Sequence, residues 1–136
     1  MSVELFSPAG LAQPAPYHHV AVATGSRHVH VAGQVGGSIV GDQPEPGELA
    51  EQVAGALRNT AIALGGAGAT FADVVRLTFY VTRWSEEKMG ELLAGVESVR
   101  GELGIPMPLP PASLIGVETL YEPGALVEIE ATAITD

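Results

Sequence analysis

Glu128 and Glu130 stand two apart in the run Leu126-Val127-Glu128-Ile129-Glu130-Ala131. This alternation is the pattern of a β-strand, whose successive side chains take opposite faces. Val127, Ile129 and Ala131 share one face, and the two carboxylates share the other. On a half-exposed sheet those carboxylates are solvated surface. If a neighbouring subunit buries the face, a glutamate there is costly unless it is paired or used. Desolvation disfavours the charged form of a carboxylate, which suits such a group to moving protons or orienting a water.

The other candidates carry weaker signals. Tyr17-His18-His19 is a polar cluster after a proline, read either as exposed loop or as pocket lining. His28-x-His30 puts two imidazoles on one face of a strand, a geometry that metal sites use. With no clear third ligand, ordinary sheet-face histidines and no metal are expected. Ser85-x-x-Lys88 matches a Ser-Lys nucleophile pattern, but its companion motifs Ser-Asp-Asn and Lys-Thr-Gly are absent. Helix capping is the expected role of Ser85. Gly33-Gln34-Val35-Gly36-Gly37 lacks dinucleotide or P-loop spacing and reads as a turn after a strand. Neither Gly-x-Ser-x-Gly nor His-Glu-x-x-His occurs.

The elements that must position these residues follow from periodicity. Residues 1–16 hold three prolines and form a leader or edge segment. Residues 20–24 and 28–33 read as two strands joined by a turn at 25–27, a hairpin. Residues 36–47, rich in Gly and Pro, read as a loop. Leu49, Val53, Ala56, Leu57, Thr60, Ala61 and Leu64 fall on one helical face, with Glu48 and Glu51 in the first turns and Gly65-Gly66 at the end. Residues 74–82, β-branched and aromatic, form a strand. Met89, Leu92, Leu93, Val96, Val99 and Leu103 stripe a second helix that Gly104 stops. Strands at 112–118 and 125–134 close the chain. The order is ββαβαββ in a single domain over residues 1–136, an α+β mixed sheet with two helices on one face. The opposite face, if apolar, buries against another subunit.

Composition narrows the partners. The chain has 136 residues, enough for one core, and a net charge of −10 with six Lys plus Arg. That charge repels phosphate backbones and anionic lipids, so neither nucleic acid nor membrane is an expected partner. Cysteine is absent, which removes disulfides, thiolate nucleophiles and Cys-ligated zinc. The N-terminus carries Glu4 and no basic stretch, so it does not read as a signal peptide, and a cytoplasmic protein is expected.

One ordered set of motifs resembles a known family. It comprises Pro16-Tyr17, a strand ending in Gly33-Gln34, the strand at 74–82, the proline loop running into Pro110-Pro111-Ala112-Ser113-Leu114-Ile115-Gly116-Val117, and Val127-Glu128-Ile129-Glu130-Ala131. From about residue 16 to 134 it resembles the reactive-intermediate deaminases, RidA or YjgF. The resemblance implies a chorismate-mutase-like fold, a homotrimer, and three pockets between subunits. It also implies cofactor-free hydrolysis of imines or enamines made by pyridoxal-phosphate enzymes, releasing ammonia and a keto acid.

Carried over by position, Tyr17 matches the pocket tyrosine, Gly33 the glycine after the second strand, and Leu114 the residue whose backbone lines the site. Glu128 matches the glutamate that holds water. Three positions depart. Ala32 stands where a serine is common, Glu91 falls near an expected asparagine, and Ala112 replaces the arginine that grips a substrate carboxylate. Arg76 and Arg83 lie on or just after the strand at 74–82, and the sequence alone places neither in the pocket. Two readings stay open. One is a hydrolase in which Glu128 orients water and Tyr17 or His18 binds a substrate lacking an α-carboxylate. The alternative is a non-catalytic trimer that binds a small metabolite.

Overall fold

The computed structural model describes residues 2–36 and 48–136. Its elements run β1 (Ser2–Phe6), β2 (Val20–Thr24), β3 (Arg27–Gln34), α1 (Glu48–Gly66), β4 (Val74–Thr82), α2 (Met89–Leu103), β5 (Ala112–Val117) and β6 (Val127–Thr135). The loop expected over 36–47 lies, from residue 37 onward, outside the described residues. Four strands make the main sheet in the order β3-β6-β4-β5. The β4–β5 pair is parallel, and β6 runs antiparallel to both its neighbours.

Period-two patterning divides this sheet into two faces. Leu77, Phe79 and Val81 of β4 and Val127, Ile129, Ala131 and Ala133 of β6 are buried in one cluster with Leu49, Val53, Leu57 and Leu64 of α1 and Leu92, Val96 and Val99 of α2. Each fully buried aliphatic side chain contributes about 1.5–3 kcal/mol, so this face holds the fold together. The helices pack on each other closely. A Cβ on Gly95 of α2 would lie 2.6 Å from the Ala50 carbonyl oxygen and 2.8 Å from the Val53 Cβ. The mixed α+β architecture with both helices in one layer matches the expectation.

The ends of the elements correct several expectations. The leader contains a strand: β1 pairs antiparallel with β2, from Ser2 opposite Thr24 to Phe6 opposite Val20. The hairpin between β2 and β3 does not form. The Gly25 backbone lies so close to the end of β6 that a Cβ there would be 2.7 Å from the Thr135 carbonyl oxygen. The chain therefore bends at this point. β2 contacts β4 and β6 instead of extending the sheet beyond β3. α1 runs through Gly65 and Gly66, and the left-handed residue is Gly68, at φ +76°. Ala69 N–H bonds the Leu64 carbonyl at 2.9 Å and Gly68 N–H bonds the Gly65 carbonyl at 3.0 Å, a Schellman closure. Gly65 is thus an ordinary helical position with open space around its Cβ. Gly65→Ala is expected to stabilise the fold by about 0.5–1 kcal/mol. Thermal unfolding should show a midpoint roughly 2–5 °C higher, and an unchanged or lower midpoint would contradict this assignment.

Ser85 precedes a 3-10 turn, Glu86–Lys88, that leads into α2, and its hydroxyl makes no capping bond to a backbone amide. It bonds the Glu87 side chain instead. Glu87's carboxyl is held below its usual range, first by its own backbone amide and then by Ser85. Lys88 Nζ donates to the carbonyl oxygens of Arg83 at 2.6 Å and Thr82 at 3.3 Å, so it serves the end of β4 rather than a Ser-Lys pair.

One buried polar residue ties the helix layer to the strand bearing the glutamates. Gln52 of α1 is 4% exposed. Its Nε2 donates to the Gly124 carbonyl at 3.1 Å and to Glu48 at 3.2 Å, and its Oε1 accepts from Leu126 N–H at 2.8 Å. Every polar atom of the amide is used, which makes its burial tolerable. These bonds hold residues 124–126 in place immediately before β6.

Candidate functional site

The sheet face opposite the helices carries the polar strand residues. Parity puts Arg76, Thr78 and Tyr80 of β4 on it, Glu128, Glu130 and Thr132 of β6, His28, His30 and Ala32 of β3, and Ser113 and Ile115 of β5. The face is more polar than an apolar trimer surface would be. Ile115, 44% exposed, is its one large exposed hydrophobe. His28 and His30 stack with ring centroids 6.4 Å apart. Among the described residues, no group of three or more His, Cys, Asp or Glu is placed to hold a metal ion.

The two glutamates of β6 have different surroundings. Glu130 Oε1 accepts a hydrogen bond from the Tyr80 hydroxyl at 2.6 Å. That bond is the main reason the phenol is held above its ordinary value. Partial burial and the charges of Glu130 and Glu128 push the same way, and Arg76 opposes them. The Tyr80 hydroxyl is therefore a donor throughout the neutral range. Any stability it lends is complete below a pH of about 10 and is lost only as pH rises through the raised value.

Glu128, one step along the same face, has no hydrogen bond or ion pair among the described residues. Its carboxylate lies on the backbone of Gly33: a Cβ at that position would be 1.9 Å from Glu128 Oε1 and 2.6 Å from its Cδ. A break in register between Val31 and Gln34 of β3 brings Gly33 to this position. The structure therefore joins two residues that the sequence singled out separately, and leaves the carboxylate free to accept from a water.

Tyr17 and His18 sit elsewhere, docked on the proline loop. Leu109 N–H bonds the Pro16 carbonyl at 2.8 Å, and His18 N–H bonds the Leu109 carbonyl at 2.7 Å. His18 Nδ1 also meets the Leu109 carbonyl, at 3.0 Å. A carbonyl oxygen only accepts, so Nδ1 is the donor of this bond. The Tyr17 ring packs edge-on against His19 at a centroid distance of 5.1 Å, and His19 is fixed by Ser7 Oγ at 3.0 Å. Beside them, Ser7, Gln13, Pro14, Ala15, Tyr17, His18 and Pro108 line a cavity of about 240 Å³.

Ala112 pairs with Leu77 and turns its methyl toward the helix layer, as does Leu114, which pairs with Phe79. Between them Ser113 projects to the open face, where Arg76 Nη2 donates to its hydroxyl. Glu91 stands in the first turn of α2, in the helix layer, so the sheet separates it from the face that carries Glu128.

The candidates thus fall into two groups. Ala112 pairs with Leu77 on one side of β4. Glu128 pairs with Tyr80 on the other side, three residues further on. Those offsets amount to about 10 Å along the strands and about 10 Å across them. Within one chain, the proline-loop group and the Glu128–Gly33 pair cannot line a single small pocket. Sequence reasoning missed Tyr80, the reach of Arg76 to Ser113, and Gln52. Strand parity would have put Arg76 and Tyr80 on the face of Glu128, but not their partners.

The profile of the family described as endoribonuclease L-PSP matches residues 9–135. Among curated proteins, none matches this chain. Solved structures agree with the profile. A Rid-family protein, YyfB from Yersinia pestis, is 32% identical with a TM-score of 0.80, covering 98% of this chain and 99% of that one. A YjgF/YER057c/UK114-family member from Mycobacterium tuberculosis is 35% identical with a TM-score of 0.60, covering 98% and 100%. The YjgF gene product of E. coli shares the fold at 22% identity, with a TM-score of 0.64 and coverage of 97% and 94%. With this profile and these relatives over nearly its whole length, the chain belongs to the Rid (YjgF) family.

Proposed function

We propose that this protein is a Rid-type hydrolase that adds water to a small imine, enamine or related carbon–nitrogen substrate in a pocket between subunits of a homotrimer. The observation that carries this reading is Glu128: a carboxylate on the open sheet face, seated on Gly33 and engaged by no other described group. Glu128 accepts a proton as water attacks the imine carbon, and the electron pair of the C=N bond moves to nitrogen. Returning that proton to nitrogen gives a carbinolamine; Glu128 then takes the hydroxyl proton and passes it to the amine nitrogen, so that C=O forms as the C–N bond breaks and ammonia leaves. Such a reaction calls for no metal or redox group.

The opposed positions of the two groups support an intersubunit pocket. Residues at the β5 edge of one copy and Glu128–Gly33 near the β3 edge of another complement each other head to tail, a contact that closes into a ring. Light scattering at micromolar concentration is expected to give the mass of a trimer, and a monomer mass would sink the reading.

The helix-facing Ala112 offers no cation to an α-carboxylate. Turnover of imines derived from simple amino acids is therefore expected to be lower, by about tenfold to a thousandfold, than in an arginine-bearing relative. Semicarbazide trapping of imines from an amino-acid oxidase measures this. Equal rates in the two proteins would refute it. Cleavage of RNA fits poorly with a net charge of −10. Among the described residues, no helix is long and apolar enough to cross a membrane.

A further inference from the structure

Tyr80 of β4 is the cross-strand partner of Glu128. Both side chains stand on the open face, and directly opposed residues hold their Cβ atoms about 4.5–5.5 Å apart. The phenol leans along β6, where its hydroxyl donates to Glu130 Oε1 at 2.6 Å. The Glu128 carboxylate leans the other way, over Gly33 of β3. The two polar ends are thus separated by roughly the diagonal spacing of a strand pair, 7–8 Å. A hydroxyl has one proton, and here Glu130 takes it. That bond is the main reason the phenol is held above its ordinary value, so the proton stays in place through the neutral range. What the oxygen still offers is a lone pair. Hydrogen bonds in a chain polarise one another, so a hydroxyl bonded to a carboxylate is a stronger acceptor. A group that meets this oxygen from the open side must bring an N–H or O–H. The charges of Glu128 and Glu130 beside it favour a positive one.

We propose that Tyr80 is the substrate-orienting residue of the Glu128 site, and that its oxygen accepts the N–H of an imine or iminium substrate. The inference rests on the pocket reading above and names the group that fixes the substrate nitrogen. A water on Glu128, the C=N unit beyond it, and a hydrogen bond from nitrogen to the phenol together span about 10 Å in a line, and a bent path fits the gap between the two ends. Holding the nitrogen at Tyr80 turns the carbon toward the water. Glu130 acts through Tyr80, as a positioning residue that keeps the phenol proton turned away from the substrate. The class selected is a C=N compound with hydrogen on nitrogen. One fully substituted there loses the bond and leaves the phenol oxygen facing no donor.

Titration calorimetry on the whole assembly tests this with two cyclic iminium ions of equal charge. In mildly acidic buffer 2-methyl-1-pyrroline is protonated on nitrogen and carries an N–H, whereas 1,2-dimethyl-1-pyrrolinium carries a methyl there. Wild type is expected to bind the N–H compound about tenfold to a hundredfold tighter. Tyr80→Phe keeps the ring and should abolish that preference. Glu130→Ala, which keeps the phenol but frees its proton, should weaken the preference without abolishing it. The exposed helix variant Arg58→Gln should keep all of it. A preference that survives Tyr80→Phe, or none in wild type, overturns the proposal while leaving the pocket intact. Failure of both ions to bind a protein of trimer mass removes the pocket reading together with this one. Should Tyr80→Phe lose trimer mass, Glu130→Ala decides: a weakened preference supports the proposal, and an undiminished one overturns it.

Discussion

Glu128→Gln is expected to leave the assembly intact and to lower turnover by a factor of about 10²–10⁴. The amide keeps the shape and contacts of the carboxylate, including its seat on Gly33, so folding has little reason to respond. It loses the ability to accept a proton from water. Glu130→Gln is the natural comparison. Glu130 is already occupied by the Tyr80 hydroxyl at 2.6 Å, and an amide oxygen accepts the same bond, so a smaller change is expected. The measurement is a steady-state rate on an imine found by screening compounds without an α-carboxylate, with light scattering of each variant. Wild-type turnover in Glu128→Gln would remove its water-holding role. Binding without turnover in wild type, merely weakened by Glu128→Gln, would establish the metabolite-binding alternative.

Gly33→Ala should reproduce much of that loss without removing any polar atom. The added methyl needs the space 1.9 Å from Glu128 Oε1, and the flexible carboxylate arm is the part that gives way. A shift of about 1 Å in a catalytic group costs on the order of 10²-fold in rate. The overpacking itself costs about 1–3 kcal/mol of stability. The two variants act on one group, so the double variant should be little worse than Glu128→Gln alone. Turnover at the wild-type rate in Gly33→Ala, or full multiplication of the two defects, would show that Glu128 works without its glycine seat.

These two residues show how far a single chain can be read. The alternation around Val127-Glu128-Ile129-Glu130-Ala131 assigned the strand, its buried side and the shared face of the carboxylates, because a strand's period follows from backbone geometry alone. Helical spacing likewise assigned the core faces of α1 and α2. The hairpin at residues 25–27 was misread because local turn signals carry no information about Thr135, whose carbonyl the backbone of Gly25 approaches. The end of α1 was misread at Gly65-Gly66 because a glycine tolerates a positive φ without having to adopt it, and Gly68 is the residue that does.

What the sequence by itself determined was therefore periodic and local: the order of the elements from residue 20 onward, the inward-facing residues, the missing arginine at Ala112, and the family through an ordered set of short motifs. The tertiary structure decided cross-strand register and reach. Register set Glu128 on Gly33 and gave Glu130 to Tyr80, separating two glutamates that alternation leaves equivalent. It also turned Ala112 to the core and Ser113 to the open face, where Arg76 arrives from the neighbouring strand. Those contacts join residues from 37 to 95 positions apart, and long-range pairing is set by how the whole sheet packs on its helices, not by any one segment.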